Sequence, residues 1–243
     1  MTLLRSLVFQ LYLYGLTVGL VLLHVPAMFM DDRHMRRGFR LWGRAGTWGM
    51  ERIAGIRLEV RGREHVARGG LLIASKHQSM LETMAYFGIL HDPAIILKKE
   101  LTLIPLVGPV VRKAGLIVVD RKGGGRAVLK MTRDAADRLD HGRDVLIFPE
   151  GHRMPVDGEP HYKRGIWTLY RETGRACVPA ALNSGLFWPR RSLIRHPGTC
   201  VIEFLPPIPA GLEEAEFRSR LETATEQAVA RLVAEARAET RKP

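Results

Sequence analysis

Short apolar runs alternate with amphipathic stretches from residue 55 to the end of the chain. Runs of strand length occupy residues 57–60, 71–75, 94–97, 116–119, 145–148, 177–182 and 200–204. Apolar positions with helical spacing occupy residues 80–90, 126–139, 162–173 and 212–238. Strands that alternate with helices predict an α/β fold, in which a mixed, mainly parallel sheet is flanked by helices.

The N-terminal end has a different pattern. Residues 6–30 contain no Asp, Glu, Lys or Arg, and a run of that length can cross the hydrocarbon layer of a bilayer, about 30 Å thick. Arg5 alone precedes the run, whereas five arginines follow it within residues 33–44. Because positively charged segments stay on the cytoplasmic side, we expect the rest of the chain at the cytoplasmic face of the inner membrane.

This segment leaves alternatives open. Residues 25–27 resemble a signal-peptidase site, although the apolar run is long and the arginines after it oppose export. Pro26 also permits a re-entrant hairpin instead of a full span. Residues 33–50 place apolar side chains three or four apart, which predicts a helix that lies at the interface or packs on the domain. The predicted division is residues 1–54, membrane-associated helices, and residues 55–243, one α/β domain.

The excess of basic residues limits the kinds of partner that the chain is expected to bind. Lysine and arginine number 37 against 25 aspartate plus glutamate, a net charge of +12 at pH 7. Such an excess attracts polyanions, either nucleic acid or an anionic membrane surface. The chain has no recognisable nucleic-acid-binding motif, so the apolar N-terminus favours the membrane. Cys177 and Cys200 lack metal-ligand spacing and fit buried thiols in a reducing compartment, with a disulfide as the alternative; we expect no metal.

A histidine precedes a carboxylate by five positions where a predicted strand gives way to a helix. Residues 75–82 read SKHQSMLE, and ligands of α/β sheets bind at the carboxyl ends of strands. His77 can accept a proton from a substrate hydroxyl if Glu82 holds its other ring nitrogen. Alternatively, Glu82 only closes a capping box with Ser79.

Two further predicted strands each lead into an arginine. Residues 115–121 read GLIVVDR and end in Arg121, and residues 148–153 read FPEGHR and end in Arg153. A planar guanidinium pairs with two phosphate oxygens at once, and Gly151 lets a loop approach a ligand closely. A base and two cations at one sheet edge predict an enzyme that activates a hydroxyl of a phosphorylated substrate.

In order and spacing, these blocks resemble those of the glycerolipid acyltransferases, specifically the bacterial 1-acylglycerol-3-phosphate acyltransferases. That family shows a histidine, four residues and an aspartate; a strand ending in Asp-Arg; Phe-Pro-Glu-Gly-Thr/Ser-Arg; and a Val-Pro element, which here is residues 178–184. The match covers roughly residues 70 to 205. Glu82 departs from the pattern by one methylene, and His152 replaces a small hydroxyl residue.

The resemblance implies a catalytic His77 with Glu82 as its partner, and a substrate site. The residues it assigns to the glycerol phosphate are Arg121, Glu150, Gly151 and Arg153. The implied reaction moves a fatty acyl group from acyl-CoA or acyl-carrier protein to the 2-hydroxyl of lysophosphatidic acid, giving phosphatidic acid with no cofactor beyond the acyl donor. Two alternatives stay open: another acceptor, such as a lyso-ornithine lipid, or a membrane lipid-binding protein without catalysis.

Overall fold

A computed structural model of the protein describes residues 1–240 and contains one seven-stranded sheet. The strands are β1 (Ile56–Arg61), β2 (Leu72–Ser75), β3 (Pro93–Lys98), β4 (Ile117–Val119), β5 (Asp144–Ile147), β6 (Cys177–Leu182) and β7 (Gly198–Phe204). Their order across the sheet is β1-β7-β6-β2-β5-β3-β4. Every neighbouring pair is parallel except β6 and β7. The prediction of a mixed, mainly parallel sheet is confirmed, and all seven predicted strands are present.

Eight α-helices connect or flank these strands in the described chain. They are α1 (Thr2–Leu23), α2 (Asp32–Gly49), α3 (Leu81–Ile89), α4 (Val107–Lys113), α5 (Gly124–Asp140), α6 (Gly165–Thr173), α7 (Ser184–Phe187) and α8 (Glu214–Thr240). The prediction placed the start of α6 three residues too early. The Lys163 amide instead donates to the Pro149 carbonyl, so residues 162–164 are held by the loop after β5.

The sheet separates two apolar cores, as the alternation of side chains along a strand requires. In β2, Ile73 packs into one core with α1, α2 and α3, whereas Leu72 and Ala74 pack into the other with α5 and α6. Leu72, Ile73 and Ala74 are all essentially inaccessible to solvent. Near-continuous apolar runs are therefore the expected signature of these strands, because both faces of a parallel sheet are covered.

The N-terminal helices form an antiparallel hairpin that lies along the sheet domain. The Tyr12 hydroxyl donates to the Ala45 carbonyl at 2.9 Å, and Trp42 Nε1 donates to Thr17 Oγ1 at 2.9 Å. The start of α1 is also fixed, because the Arg195 amide donates to Ser6 Oγ at 2.8 Å. Most of the predicted apolar stripe of α2 packs on the domain, and Trp48 remains exposed. The predicted boundary between residues 54 and 55 stays a prediction.

Glycines set the distance between α2 and α3, which carries Glu82. A Cβ atom on Gly43 would lie 2.6 Å from the Gly88 amide nitrogen and 2.8 Å from the Met84 carbonyl oxygen. Backbone atoms of a packed helix cannot yield as a flexible side chain can. The close crossing therefore requires glycine at this position, and it holds the second half of α3, the helix that carries Glu82, against α2.

We predict that Gly43→Ala lowers the free energy of unfolding by about 1–3 kcal/mol, the usual cost of overpacking. The matched control is Gly125→Ala in α5, where an added Cβ meets nothing within 4 Å. The control should be neutral or stabilise by up to about 1 kcal/mol through helix propensity. Chemical denaturation in detergent measures both. Equal stability of the two variants would show that the α2–α3 contact is not tight.

Candidate active site

The carboxyl ends of β2, β5, β3 and β4 lie along one edge of the sheet because these strands are parallel. His77 follows β2, Arg153 follows β5 and Arg121 follows β4. The antiparallel neighbour β7 ends on the opposite edge. Every residue predicted for the site therefore comes from the edge at which α/β sheets bind their ligands.

His77 and Glu82 are in direct contact. His77 Nδ1 lies 2.8 Å from Glu82 Oε1, and the carboxylate is completely buried. A carboxylate only accepts hydrogen bonds, so Nδ1 carries the proton and Nε2 is left as the basic nitrogen. This is the tautomer that a general base needs.

The same carboxylate also caps the loop that leads into α3. Glu82 Oε1 accepts the backbone N–H groups of Gln78 at 2.8 Å and Ser79 at 2.7 Å, and Oε2 accepts from Ser184 Oγ at 2.7 Å. Ser79 Oγ accepts from the Leu81 amide instead of the Glu82 amide of a regular capping box. The two interpretations of Glu82 are therefore compatible, because one oxygen binds the ring and the cap together.

The His77 ring is held on its face as well as at Nδ1. It stacks on Phe148, with ring centroids 4.0 Å apart and an interplanar angle of 19°. The side chain is 13% exposed, so the ring is largely enclosed but still reachable. Stacking and the Glu82 hydrogen bond leave the imidazole one orientation.

Arg153 is brought next to His77 by the backbone. The Met154 amide donates to the His77 carbonyl at 2.8 Å, which ties the loop after β5 to the loop after β2. Gly151 makes the turn with φ +71°, a conformation that glycine adopts without strain. The Arg153 side chain is half-buried and, among residues 1–240, its guanidinium is paired with no carboxylate. It is therefore free to bind an anion.

Arg121 lies farther along the same edge. Its strand, β4, is separated from β2 by β5 and β3, which is three strand spacings, or about 14 Å. The side chain is exposed. Arg121 can reach a substrate that extends from His77 across the sheet edge, and it does not touch His77 itself.

Glu150 faces inward and has no exposed surface. Its carboxylate lies 2.8 Å from the Lys76 ammonium and accepts the His77 amide at 3.2 Å. Burial raises the pKa of Glu150 above its usual range, and the Lys76 cation opposes that shift. The resemblance assigns Glu150 to the glycerol phosphate, but its buried carboxylate binds Lys76 and the His77 amide, and a direct contact with a bound phosphate is not available from this position.

The second departure from the family pattern, His152, is exposed, and its Nδ1 lies 3.0 Å from the Glu150 carbonyl oxygen.

Cys177 and Cys200 are free and buried, as predicted. Burial raises the pKa of Cys177 to about 12 and that of Cys200 well above its ordinary value, so both are neutral thiols. Within residues 1–240, no three His, Cys, Asp or Glu side chains converge as metal ligands.

Several contributors to the site were not predicted. Phe148 and Ser184 stood inside recognised blocks without an assigned role. Lys76 also lies in the first block and had no assigned role. Its partner Glu226 lies on α8, at a position where the sequence pattern indicates only a polar, solvent-facing side of the helix. Only the three-dimensional structure brings Glu226 to the site, because 150 residues separate it from Lys76.

Comparison with known proteins identifies the family of this chain. The family model described as acyltransferase matches residues 57–183, more than half of the chain. The 1-acyl-sn-glycerol-3-phosphate acyltransferase of Pseudomonas aeruginosa is 33% identical over 194 residues, which cover 80% of this chain and 76% of that protein. The human 1-acyl-sn-glycerol-3-phosphate acyltransferase alpha is 32% identical over 160 residues, 65% of this chain and 56% of its own.

The fold has a solved counterpart. The crystal structure of the 1-acyl-sn-glycerophosphate acyltransferase from Thermotoga maritima superposes with a TM-score of 0.74 over 96% of this chain and 98% of that one, at 22% identity. At this identity the likeness establishes the fold alone. The family match and the Pseudomonas relative establish more: this chain belongs to the acyltransferase family.

Proposed function

We propose that the protein acylates the 2-hydroxyl of lysophosphatidic acid, with His77 as the general base. The 2.8 Å contact between His77 Nδ1 and the buried Glu82 carboxylate carries this proposal, since in the neutral ring it places the proton on Nδ1 and the basic lone pair on Nε2, at the ligand-binding edge. Relatives named for this reaction, matching most of the chain, support it.

The reaction needs no covalent acyl-enzyme. His77 Nε2 takes the hydroxyl proton as the oxygen attacks the thioester carbonyl, and Glu82 stabilises the imidazolium that forms. When the tetrahedral intermediate collapses, the carbon–sulfur bond breaks and the imidazolium returns its proton to the sulfur. Cys177 and Cys200 are buried thiols with raised pKa values, which argues against either as a nucleophile.

The acceptor phosphate is assigned to the two arginines. Arg153 is tied to His77 through the Met154 amide, and Arg121 stands about 14 Å away by strand spacing. A glycerol phosphate placed with its 2-hydroxyl at His77 would present its phosphate to Arg153, with Arg121 closing from the far side. Glu150 contributes by fixing the His77 amide and not by touching the substrate.

An apolar cavity of about 240 Å³ adjoins the first turn of α3 and fits an acyl chain. Side chains from both N-terminal helices and from α3 and α4 line it, among them Leu20, Val21, Trp42, Met80, Thr83 and Val107. Met80 and Thr83 lie within two residues of Glu82 in the chain, which places this end of the cavity near the catalytic pair, although His77 and Glu82 are not among its lining residues.

We assign the binding of the acyl donor to a basic groove of about 660 Å³ along the open edge of β4. Its lining includes Lys99, Arg112, Arg126, Lys130 and Arg138. Lys99 and Lys130 are paired with aspartates in the groove, whereas Arg112 and Arg126 have no carboxylate partner among the described residues. Acyl-CoA and acyl-carrier protein both carry a negatively charged phosphate ester, so either donor suits this charge.

We place the protein on the inner membrane, with the catalytic domain on the cytoplasmic side. Among the described helices, α1 alone is long and apolar enough to cross a bilayer, but one of its faces is packed on the domain while the other exposes leucines along its length. Phe29, 92% exposed, and Leu103, 73% exposed, extend this apolar surface at the hairpin tip and before α4. A helix with one packed face favours the re-entrant alternative, embedded from one side.

The first prediction tests the base. His77→Ala should lower kcat by about 10²-fold or more, the usual share of general-base catalysis, while leaving binding to vesicles unchanged. The assay uses the full chain with lysophosphatidic acid in vesicles, and His161→Ala, an exposed histidine, is the matched control. A near-normal rate for His77→Ala would refute the proposed mechanism. Membrane binding without turnover in the unaltered protein would favour the lipid-binding alternative.

The second prediction separates the charge of Glu82 from its hydrogen bonds. In Glu82→Gln the amide oxygen can accept the three N–H groups now bound to Oε1, and the amide nitrogen can donate to Ser184 Oγ. We therefore expect stability to fall by no more than about 1 kcal/mol, the cost of a weakened cap, while kcat falls at least tenfold. Calorimetry and turnover on the same sample measure both. A cap-only role would lower stability and spare kcat.

The third prediction tests the phosphate site. Arg153→Ala should raise KM for lysophosphatidic acid by about 10- to 100-fold, because a hydrogen bond to a charged group contributes about 1.5–3 kcal/mol. Arg133→Ala, on the exposed face of α5, should behave like the unaltered protein. A panel of acceptors completes the test. If a lysolipid without phosphate is acylated best, the arginine assignments are wrong and the acceptor belongs to another class.

A further inference from the structure

A lysine is buried beneath the catalytic histidine. Lys76 immediately precedes His77, and its side chain is 1% exposed. Burying an ammonium is costly unless it is paired and hydrogen-bonded. Two carboxylates provide that pairing, and they come from distant parts of the chain.

The contacts of Lys76 form a continuous path from α8 to the active site. Its Nζ lies 2.8 Å from Glu150 Oε1 on one side, and 2.8 and 3.0 Å from the two oxygens of Glu226 on the other. The Tyr162 hydroxyl donates to Glu226 Oε1 at 2.9 Å. Glu150 in turn accepts the His77 amide at 3.2 Å. Three residue pairs in series, Glu226–Lys76, Lys76–Glu150 and Glu150–His77, thus link the C-terminal helix to the backbone of the base.

This path also joins the base to the phosphate site. Glu150 belongs to the loop that carries Arg153, and Lys76 belongs to the loop that carries His77. The ammonium between Glu150 and Glu226 therefore fixes the two loops relative to each other. Catalytic geometry depends on such fixation, because small displacements of reacting groups lower rates by large factors.

We propose that Lys76 and Glu226 are positioning residues for catalysis, and that α8 completes the active site through them. The proposal rests on the proposed role of His77. Glu226 lies outside residues 57–183, which the family model matches, so the assignment adds an element to the site beyond the shared motifs. Neither residue touches the substrate; both act through Glu150 and the His77 backbone.

Glu226→Gln is the principal test, since Glu226 is 25% exposed and the amide keeps an oxygen for Tyr162 and Lys76. Loss of the negative charge leaves Lys76 attracted to Glu150 alone, which shifts the loop that holds His77. We expect kcat to fall at least tenfold with little change in KM for the acyl donor. Glu222→Gln, a half-buried glutamate one turn earlier on α8, is the matched control and should retain normal kinetics.

Variants of Lys76 provide the second readout. Lys76→Met removes the charge and leaves Glu150 buried without a cation, whereas Lys76→Arg keeps a cation between the carboxylates. Lys76→Arg should retain at least tenfold more turnover than Lys76→Met, measured per folded molecule after thermal melting curves are recorded. If Lys76→Met does not fold, the comparison of Glu226→Gln with Glu222→Gln still decides the question.

A purely structural role predicts a different result. Glu226→Gln would then lower the melting temperature and leave kcat per folded molecule within twofold of the control, and this outcome would overturn the proposal. Failure of the proposed function has its own signature, because the unaltered protein would then not acylate lysophosphatidic acid, or His77→Ala would remain active. If Glu226→Gln has a normal kcat while His77→Ala is inactive, the positioning role is rejected and the proposed function stands.

Discussion

The site depends on one buried carboxylate that is surrounded by donors. Glu82 accepts the His77 ring, two backbone amides and the Ser184 hydroxyl within 2.8 Å. A buried charge persists only when its hydrogen-bonding capacity is satisfied, and here the loop between β2 and α3 satisfies it together with Ser184. The conformation of that loop, the orientation of the imidazole and the charge that stabilises an imidazolium therefore have a common origin.

This arrangement also explains the departure from the family's aspartate. A glutamate on the first turn of α3 reaches back over the loop far enough for Oε1 to meet the His77 ring and the Gln78 and Ser79 amides together. Oε2 is then directed to Ser184, the first residue of α7. The additional methylene is used in reaching the cap, so the replacement preserves the carboxylate–imidazole contact.

The fold and the contact between His77 and Glu82 could be predicted because their signals are local. Apolar runs such as residues 71–75 and 177–182 are of strand length and nearly continuous, which is typical of strands buried on both faces. His77 and Glu82 are five positions apart at a strand-to-helix junction, so their meeting depends on only one turn. The positions of Arg121 and Arg153 at the same sheet edge could be predicted for a similar reason, because each lies past the end of a parallel strand.

The roles of Glu226, Gly43 and Glu150 could not be predicted, because they depend on contacts that leave no local pattern in the sequence. Nothing in the α8 sequence distinguishes Glu226, with its role toward Lys76, from Glu222 one turn away. The packing of α2 was assigned to its apolar side chains, whereas Gly43 determines how closely it approaches α3. Both cases involve atoms that meet across long sequence separations, where geometry and not residue type makes the contact specific. The same limit applies to Glu150: the resemblance assigned it to the glycerol phosphate, whereas its carboxylate is buried against Lys76 and accepts the His77 amide.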